Sequence, residues 1–449
     1  MQTYIIKNWI KAGLKSIQNV KIPAKKSQHI FIAEKAFSNG GIGRYQIFGY
    51  SLWSISDPIL LRKLLVDSDS NLKKGNLLHL LKRIFGQSLF SAEGADLDRL
   101  SYSSKSTLGR TNSEIYHKRI VQVVENWIRL SKPKPENQLI LNLREDLYFL
   151  NMDIMSAVLL GCLLPESSKK RIFAEHDWIK ATINRRLASS LVMPTWIPSP
   201  FDLLILFRRQ RINNLLLPWV AQAKCMTNEF GHCLISDLDS EIRGKTLCPF
   251  SRIQHADFVK TLFFAGIRTS AVTLEWVILY LMSRPQEYGK IQCEIDRNIG
   301  TEELTSFNIA KLVYMNKFVN EVMRIAPVGH THARQVKSSF KHEMNLFRTG
   351  DIILLSIYGL HHDPSVWNEP EDFNPNRFDE KHLASSFLPY GLGQHTCPGQ
   401  HLANQSIAIA LVTLLRNFTI KATAQINLEA ASYILLEPST KQSVELIAR

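Results

Sequence analysis

"FLPYGLGQHTCPGQHLA" (residues 387–403) decides how the rest of the chain is read. One cysteine, Cys397, stands between Gly393 and Gly399, beside Pro398 and directly ahead of an apolar helical pattern. Glycines on either side let backbone come close to something flat. Amides at a helix start, and N–H groups freed by glycine, stabilise negative charge on sulfur. A thiolate so placed is a strong axial ligand for haem iron, of the kind that favours O–O cleavage. Taken alone, the loop also fits a buried, inert thiol in a glycine-rich turn.

A second stretch raises the opposite question. "KTLFFAGIRTSAVTLEWVILYL" (260–281) reads as a helix that is apolar almost all round, yet Arg268 sits at its centre. Its neighbours one turn away are Phe264, Ala265, Ala271 and Val272, so no partner lies on the same helix. A guanidinium keeps its proton, and burying it alone is costly. A carboxylate, carbonyls, water or a ligand must meet it.

Working outward, the chain reads as mainly α with a minor β region. Two short strands are expected over 44–55, turning near Gly49, then a helix opened by Asp57 and Pro58. Helical patterns dominate to about residue 300, broken most clearly by "MPTWIPSP" (193–200). An extended region follows residue 327, a helix is expected over 402–418, and the tail "ASYILLEPSTKQSVELIAR" (431–449) reads as a hairpin. No linker divides the 449 residues, so a single domain is expected: a basic segment over 1–40 and a core over 41–449.

The net charge of +14 is concentrated at the start, where residues 1–50 hold eight Lys/Arg against one Glu. Ile6, Ile10, Leu14 and Ile17 share a face, with Lys7, Lys11 and Lys15 between. Such a helix either docks on the protein body or lies weakly on an anionic membrane surface. It is too interrupted by lysine for a span or a cleaved signal. Nothing resembles a zinc, helix-turn-helix or RNA-binding signature, so no nucleic-acid partner is expected. The six cysteines form no CxxC pair, which suits a reducing cytoplasm.

Four ordered motifs resemble the cytochrome P-450 family, soluble bacterial type. The cysteine loop offers Tyr390, Gly391, Gly393, His395, Cys397, Gly399 and Ala403, with Tyr390 where Phe is usual. "NEVMRIAP" carries Glu321 and Arg324, and "FNPNRF" carries Arg377, with Asn376 where Glu is commoner. "AGIRTS" gives Ala265, Gly266 and Thr269, and "HHDPSVW" stands in family order. The resemblance implies the fold of that family, one large domain enclosing haem b, with Cys397 as axial ligand to the iron. It implies that Glu321, Arg324 and Arg377 interlock as structural core, and that Arg334 and His395 hold haem propionates. Where the family adds a Trp and an Arg after a glycine, Leu97 and Ser101 follow Gly94, leaving Lys105 as a candidate partner. "GHTHAR" places His330 and His332 at a metal-like spacing, though lining the pocket is the preferred reading.

The implied reaction is monooxygenation of a hydrophobic small molecule such as a fatty acid, a terpenoid or a polyketide-like compound. Electrons would come from a separate ferredoxin, flavodoxin or flavoprotein reductase, since only about fifty residues follow Cys397; a monomer is expected. Segments 76–86, 170–215 and 435–442 fall where family members contact substrate, and they contain Leu77, Leu78, Phe85, Phe173, Trp178, Leu191 and Trp196. The family normally has an acid immediately before the Thr, to relay protons in dioxygen activation; here Arg268 replaces it. Three readings follow. Arg268 turns toward protein groups and Thr269 acts with water. Or Arg268 anchors a substrate carboxylate, as in the related peroxygenases that use hydrogen peroxide. Or the protein binds haem without catalysis.

Overall fold

The computed structural model describes residues 27–37, 40–47, 50–67, 71–75, 77–109, 112–131, 139–190, 200–223, 233–235, 252–380 and 385–449. The basic segment before residue 27, the turn at Gly49, Leu191 and Trp196 lie outside them. Helix α1 (Gln28–Phe37) leads into strands β1 (Ile42–Ile47) and β2 (Tyr50–Ile55). Helix α2 (Pro58–Arg62) starts as its sequence dictates: Asp57 Oδ1 accepts the Leu60 N–H at 2.6 Å, and Pro58 occupies a position that needs no donor. After β3 (Leu72–Lys73) come α3 (Leu77–Phe85), α4 (Ala95–Leu108), α5 (Ser113–Ser131), β4 (Leu139–Asn142), α6 (Leu143–Leu160), α7 (Glu166–Ser190) and α8 (Pro200–Ala223).

Helix α9 (Arg252–Met282) runs through the middle and packs along α6. Both are hydrophobic on nearly every side, as helices enclosed by others must be. Its stretch Ala256–Met282 is long and apolar enough to cross a membrane, but 83% of that apolar window is buried inside the protein. Helices α10 (Pro285–Asn298), α11 (Ser306–Ala310) and α12 (Val313–Ile325) follow. Strands β5 (Thr331–Val336), β6 (Phe340–His342), β7 (Asn345–Phe347) and β8 (Ile352–Ser356) precede helix α13 (Ile357–His361). Helix α14 (Gln400–Asn417) follows the cysteine loop, and β9 (Phe418–Ala422), β10 (Ala430–Ser432), β11 (Leu436–Pro438) and β12 (Ser443–Ala448) complete the chain.

The larger sheet has the order β1-β2-β8-β5-β3, with β8 parallel to β2 and antiparallel to β5, Arg334 standing opposite Ile353. The tail differs from the expected hairpin over 431–449. The hairpin is β10–β11, and β12 leaves it to sit between β4 and β9. Val444 and Leu446 alternate on one face and are buried there, and alternation of that kind drives a strand toward the core.

A buried imidazole cluster joins α1 to the sheet. The His29 ring lies 4.5 Å from Tyr358 and 5.9 Å from His330, and Tyr358 stacks on His362 at 3.9 Å. Burial, then the nearby His330, pushes His29 down to about 4. An unfolded histidine takes a proton below pH ~6.5, whereas the folded one resists until about 4. The unfolded state therefore binds more protons across that window, and stability falls as pH drops through it. A stability curve between pH 7 and 4 should show a loss of about 3 kcal/mol at most from this group. His29→Phe should flatten that part of the curve.

Candidate active site

Cys397 lies two residues before the Gly399 that starts α14. Its N–H donates to the Tyr390 carbonyl at 2.9 Å, which closes the loop, and Tyr390 donates its hydroxyl to Asn404. Gly391 and Gly393 have φ of 72° and 74°, where other residues are strained. A Cβ on Gly393 would come within 2.1 Å of the Leu65 carbonyl, so glycine is obligatory there. The Ala403 N–H donates to the Gly399 carbonyl, setting the first turn of α14. Burial raises the Cys397 thiol, and a hydrogen bond from the Gly399 backbone works against that rise. Burial thus favours the neutral thiol, and a coordinating metal would remove its proton outright.

Glu321 fixes this loop from behind. Glu321 and Arg324 are 0% exposed. Arg324 bonds both Glu321 oxygens at 2.8 and 2.9 Å, and Arg377 Nε donates to Oε1 at 2.9 Å. The Asn374 N–H adds a fourth bond at 2.8 Å. The remaining guanidinium N–H groups go to the carbonyls of His361, Asn368, Glu369 and Asp372. His361 carries the link forward. Its carbonyl accepts from Arg324 at 2.7 Å, and its Nε2 accepts the Leu388 N–H at 2.9 Å. Burial, then His362 and Arg324, hold that imidazole neutral, as an acceptor must be.

Around His395, within the loop itself, basic groups gather. His395 is pushed down to about 3 by burial, then by Arg334, Lys74, His332 and Lys105. Arg334 and His332 stand two apart on β5, hence on one side of the sheet. Lys74 is bonded to the carbonyls of Leu89, Phe90 and Ala92 at 2.8–3.1 Å. Arg334 and Lys105 thus lie near enough to His395 to act on its charge, and Lys74 does so without a sequence signal. The cluster suits a group bearing carboxylates.

On α9, Ala265, Gly266 and Thr269 keep partial exposure while Phe264, Ile267, Arg268 and Ser270 are buried. That is one face of a helix, a turn long. Thr269 Oγ1 donates to the Ala265 carbonyl at 2.7 Å. A Cβ on Gly266 would come within 2.6 Å of the Met155 side chain, so its bareness also serves the α6 contact. Arg268 turns the other way. Its Nε and Nη2 bond Glu437 Oε1 and Oε2, both at 3.0 Å, and its Nη1 lies 3.6 Å from Asp177. Burial works against the charge, yet Glu437 prevails and raises the Arg268 pKa. Beside them, His176 shares a 2.6 Å hydrogen bond with Tyr148 and is pushed down to about 3, by burial first and then by Arg268. Sequence reasoning missed Glu437, although a lone acid in the apolar run "YILLEP" mirrors the lone Arg268.

His330 is fixed by a 2.8 Å hydrogen bond to the Tyr433 carbonyl, and no group of three metal-ligating side chains occurs among the described residues. Trp178 packs under the Arg208 guanidinium at 5.0 Å, so it meets α8. The donor set fits a haem: a thiol at a helix start, glycines where a Cβ has no room, a half-exposed face on α9 and a cationic cluster. Cys397 would bind the iron, and Arg334, His395 and Lys105 would meet the propionates.

The family model for cytochrome P450 matches residues 18–444. Among curated proteins, the chain is 30% identical to cytochrome P450 3A6 of Oryctolagus cuniculus over 195 residues, 42% of this chain and 39% of that protein. It is 34% identical to cytochrome P450 81F2 of Arabidopsis thaliana over 160 residues, 35% of this chain and 33% of that one. The aligned stretch thus spans under half the length of these relatives.

Removing the charge of Glu321 would leave two buried arginines facing each other. Glu321→Gln should lower folding stability by about 3–5 kcal/mol in a denaturant titration. Asp96→Asn, which breaks the exposed pair with Arg99, should shift it by less than about 1 kcal/mol.

Proposed function

The chain belongs to the cytochrome P450 family, and from that premise we propose that it is a haem-thiolate monooxygenase acting on a hydrophobic small molecule. When bound, haem b supplies the dioxygen and electron chemistry. The observation that carries the reading is that the chain builds both a glycine-framed Cys397 loop at the start of α14 and a half-exposed Ala265–Gly266–Thr269 face on α9.

The chain's own residues have separable tasks. Cys397 would hold the group, and Tyr390, Gly391, Gly393 and Gly399 give its sulfur a fixed position. Arg334, His395 and Lys105 would orient the group by its carboxylates. Thr269 supplies a hydroxyl on the half-exposed face of α9. Its Oγ1 is satisfied by the Ala265 carbonyl at 2.7 Å, and a hydroxyl rotor can instead donate to a bound water and accept from another. Proton supply then rests on Thr269 and water, because Arg268 cannot release a proton. A separate protein would donate the electrons, and an acidic face on it would be steered by the chain's net positive charge.

The carboxylate-anchoring reading of Arg268 is disfavoured, because Glu437 already fills the guanidinium fork. That leaves apolar, neutral molecules as the preferred substrates.

Two variants test the assignment. Cys397→Ala should abolish the thiolate signature, the red-shifted Soret band of the reduced carbon-monoxide complex; a normal band would sink the reading. Thr269→Ala should keep that band while product formed per electron pair consumed falls by about 10²-fold, the low end for a positioned proton donor. Thr269→Ser should restore most of the loss.

A further inference from the structure

Arg268, the residue before Thr269 on α9, and Glu437 stand at the meeting point of three elements. Glu437 comes from β11, Arg268 from α9, and Lys180 and Asp177 from α7. Lys180 Nζ donates to Glu437 Oε2 at 2.6 Å, the same oxygen that Arg268 Nη2 meets. Two cations thus face two carboxylates, and the local charge is zero. Both Arg268 and Glu437 are almost fully buried, at 6% and 2% exposed, whereas the Asp177 side chain is 58% exposed.

We propose that Glu437 is a specificity-determining residue, which occupies the Arg268 fork with the protein's own carboxylate and so denies that anchor to acidic substrates. The inference rests on the haem-thiolate reading and deepens it by naming the substrate class as neutral and apolar. The two parallel bonds at 3.0 Å are the geometry that a substrate carboxylate would need. To take them, it would have to evict Glu437 from two cations at once. It would also find no positive potential drawing it in, since Asp177 meets the remaining Nη1 at 3.6 Å.

Nor can Glu437 swing aside with its strand. Trp276 Nε1 donates to the Leu436 carbonyl at 3.0 Å, and the Leu436 N–H donates to the Val328 carbonyl at 3.0 Å. Arg144 Nη2 donates to the Pro438 carbonyl at 2.6 Å, so both neighbours of Glu437 are pinned.

The test compares dodecanoate with dodecanol on the haem-loaded protein, read by Soret shift and independently by tryptophan fluorescence. Wild type should bind the alcohol at least as tightly as the acid. E437Q should tighten dodecanoate by about tenfold or more, the effect of a charge-assisted hydrogen bond, with dodecanol little changed. R268M/E437Q should lose that gain. An unchanged acid-to-alcohol ratio in E437Q overturns the proposal. So does a wild-type preference for acid that R268M/E437Q abolishes, a result readable even if E437Q alone does not fold. Failure of the underlying reading looks different: no thiolate Soret band forms in wild type, whatever ligand is added.

Discussion

A single buried carboxylate organises the proximal half of the molecule. Glu321 is fully enclosed, and an ion in that position is tolerable only if every lone pair and every opposing donor is matched. Arg324, Arg377 and the Asn374 N–H meet its oxygens, and four backbone carbonyls absorb the other guanidinium hydrogens. One carbonyl, of His361, ends α13, and those of Asn368, Glu369 and Asp372 belong to the segment that follows it. Satisfying the charge therefore dictates the path of that segment. His361 then transmits the constraint to Leu388, nine residues before Cys397.

The distal half solves a comparable problem with a different geometry. Arg268 on α9 meets Glu437 from the C-terminal hairpin, and Lys180 and Asp177 complete the set from α7. Nearby, Glu275 and Arg144 form a second partly enclosed pair at 3.3 Å, and Glu275 is raised to about 7 by burial first, Arg144 opposing. Breaking such sets is costlier than making them is beneficial, so they serve better as registry than as glue. The hairpin, α6, α7 and α9 can come together in one arrangement only, because any slip strands a charge.

How far the sequence revealed this depends on the separation of the partners. Glu321, Arg324 and Arg377 stand in short motifs that resemble the family's, so the resemblance implied their interlock along with the role of the Cys397 loop. The helical class was legible as well, because α6 and α9 are apolar beyond what an exposed helix tolerates. Arg268 announced that it needed a partner but not which one: Glu437 lies 169 residues away on a short strand. Lys74 was invisible for another reason. Its Nζ is bound by carbonyls, and carbonyls are present at every position. The last strand was misassigned to a hairpin since alternation of Val444 and Leu446 fixes a buried face without naming the neighbour strands.

Proximal and distal sets together leave a narrow range of groups free for chemistry. The proximal arginines are consumed by Glu321, the distal arginine by Glu437, and the imidazoles of His176, His361 and His362 are held neutral by burial first. What faces the half-exposed side of α9 is Ala265, Gly266 and the hydroxyl of Thr269, two groups without polar side chains and one without charge. A fold that spends its charges on fixing its own elements keeps that face nearly apolar. Among the described residues of α9, the one polar side chain on that face is the uncharged hydroxyl of Thr269.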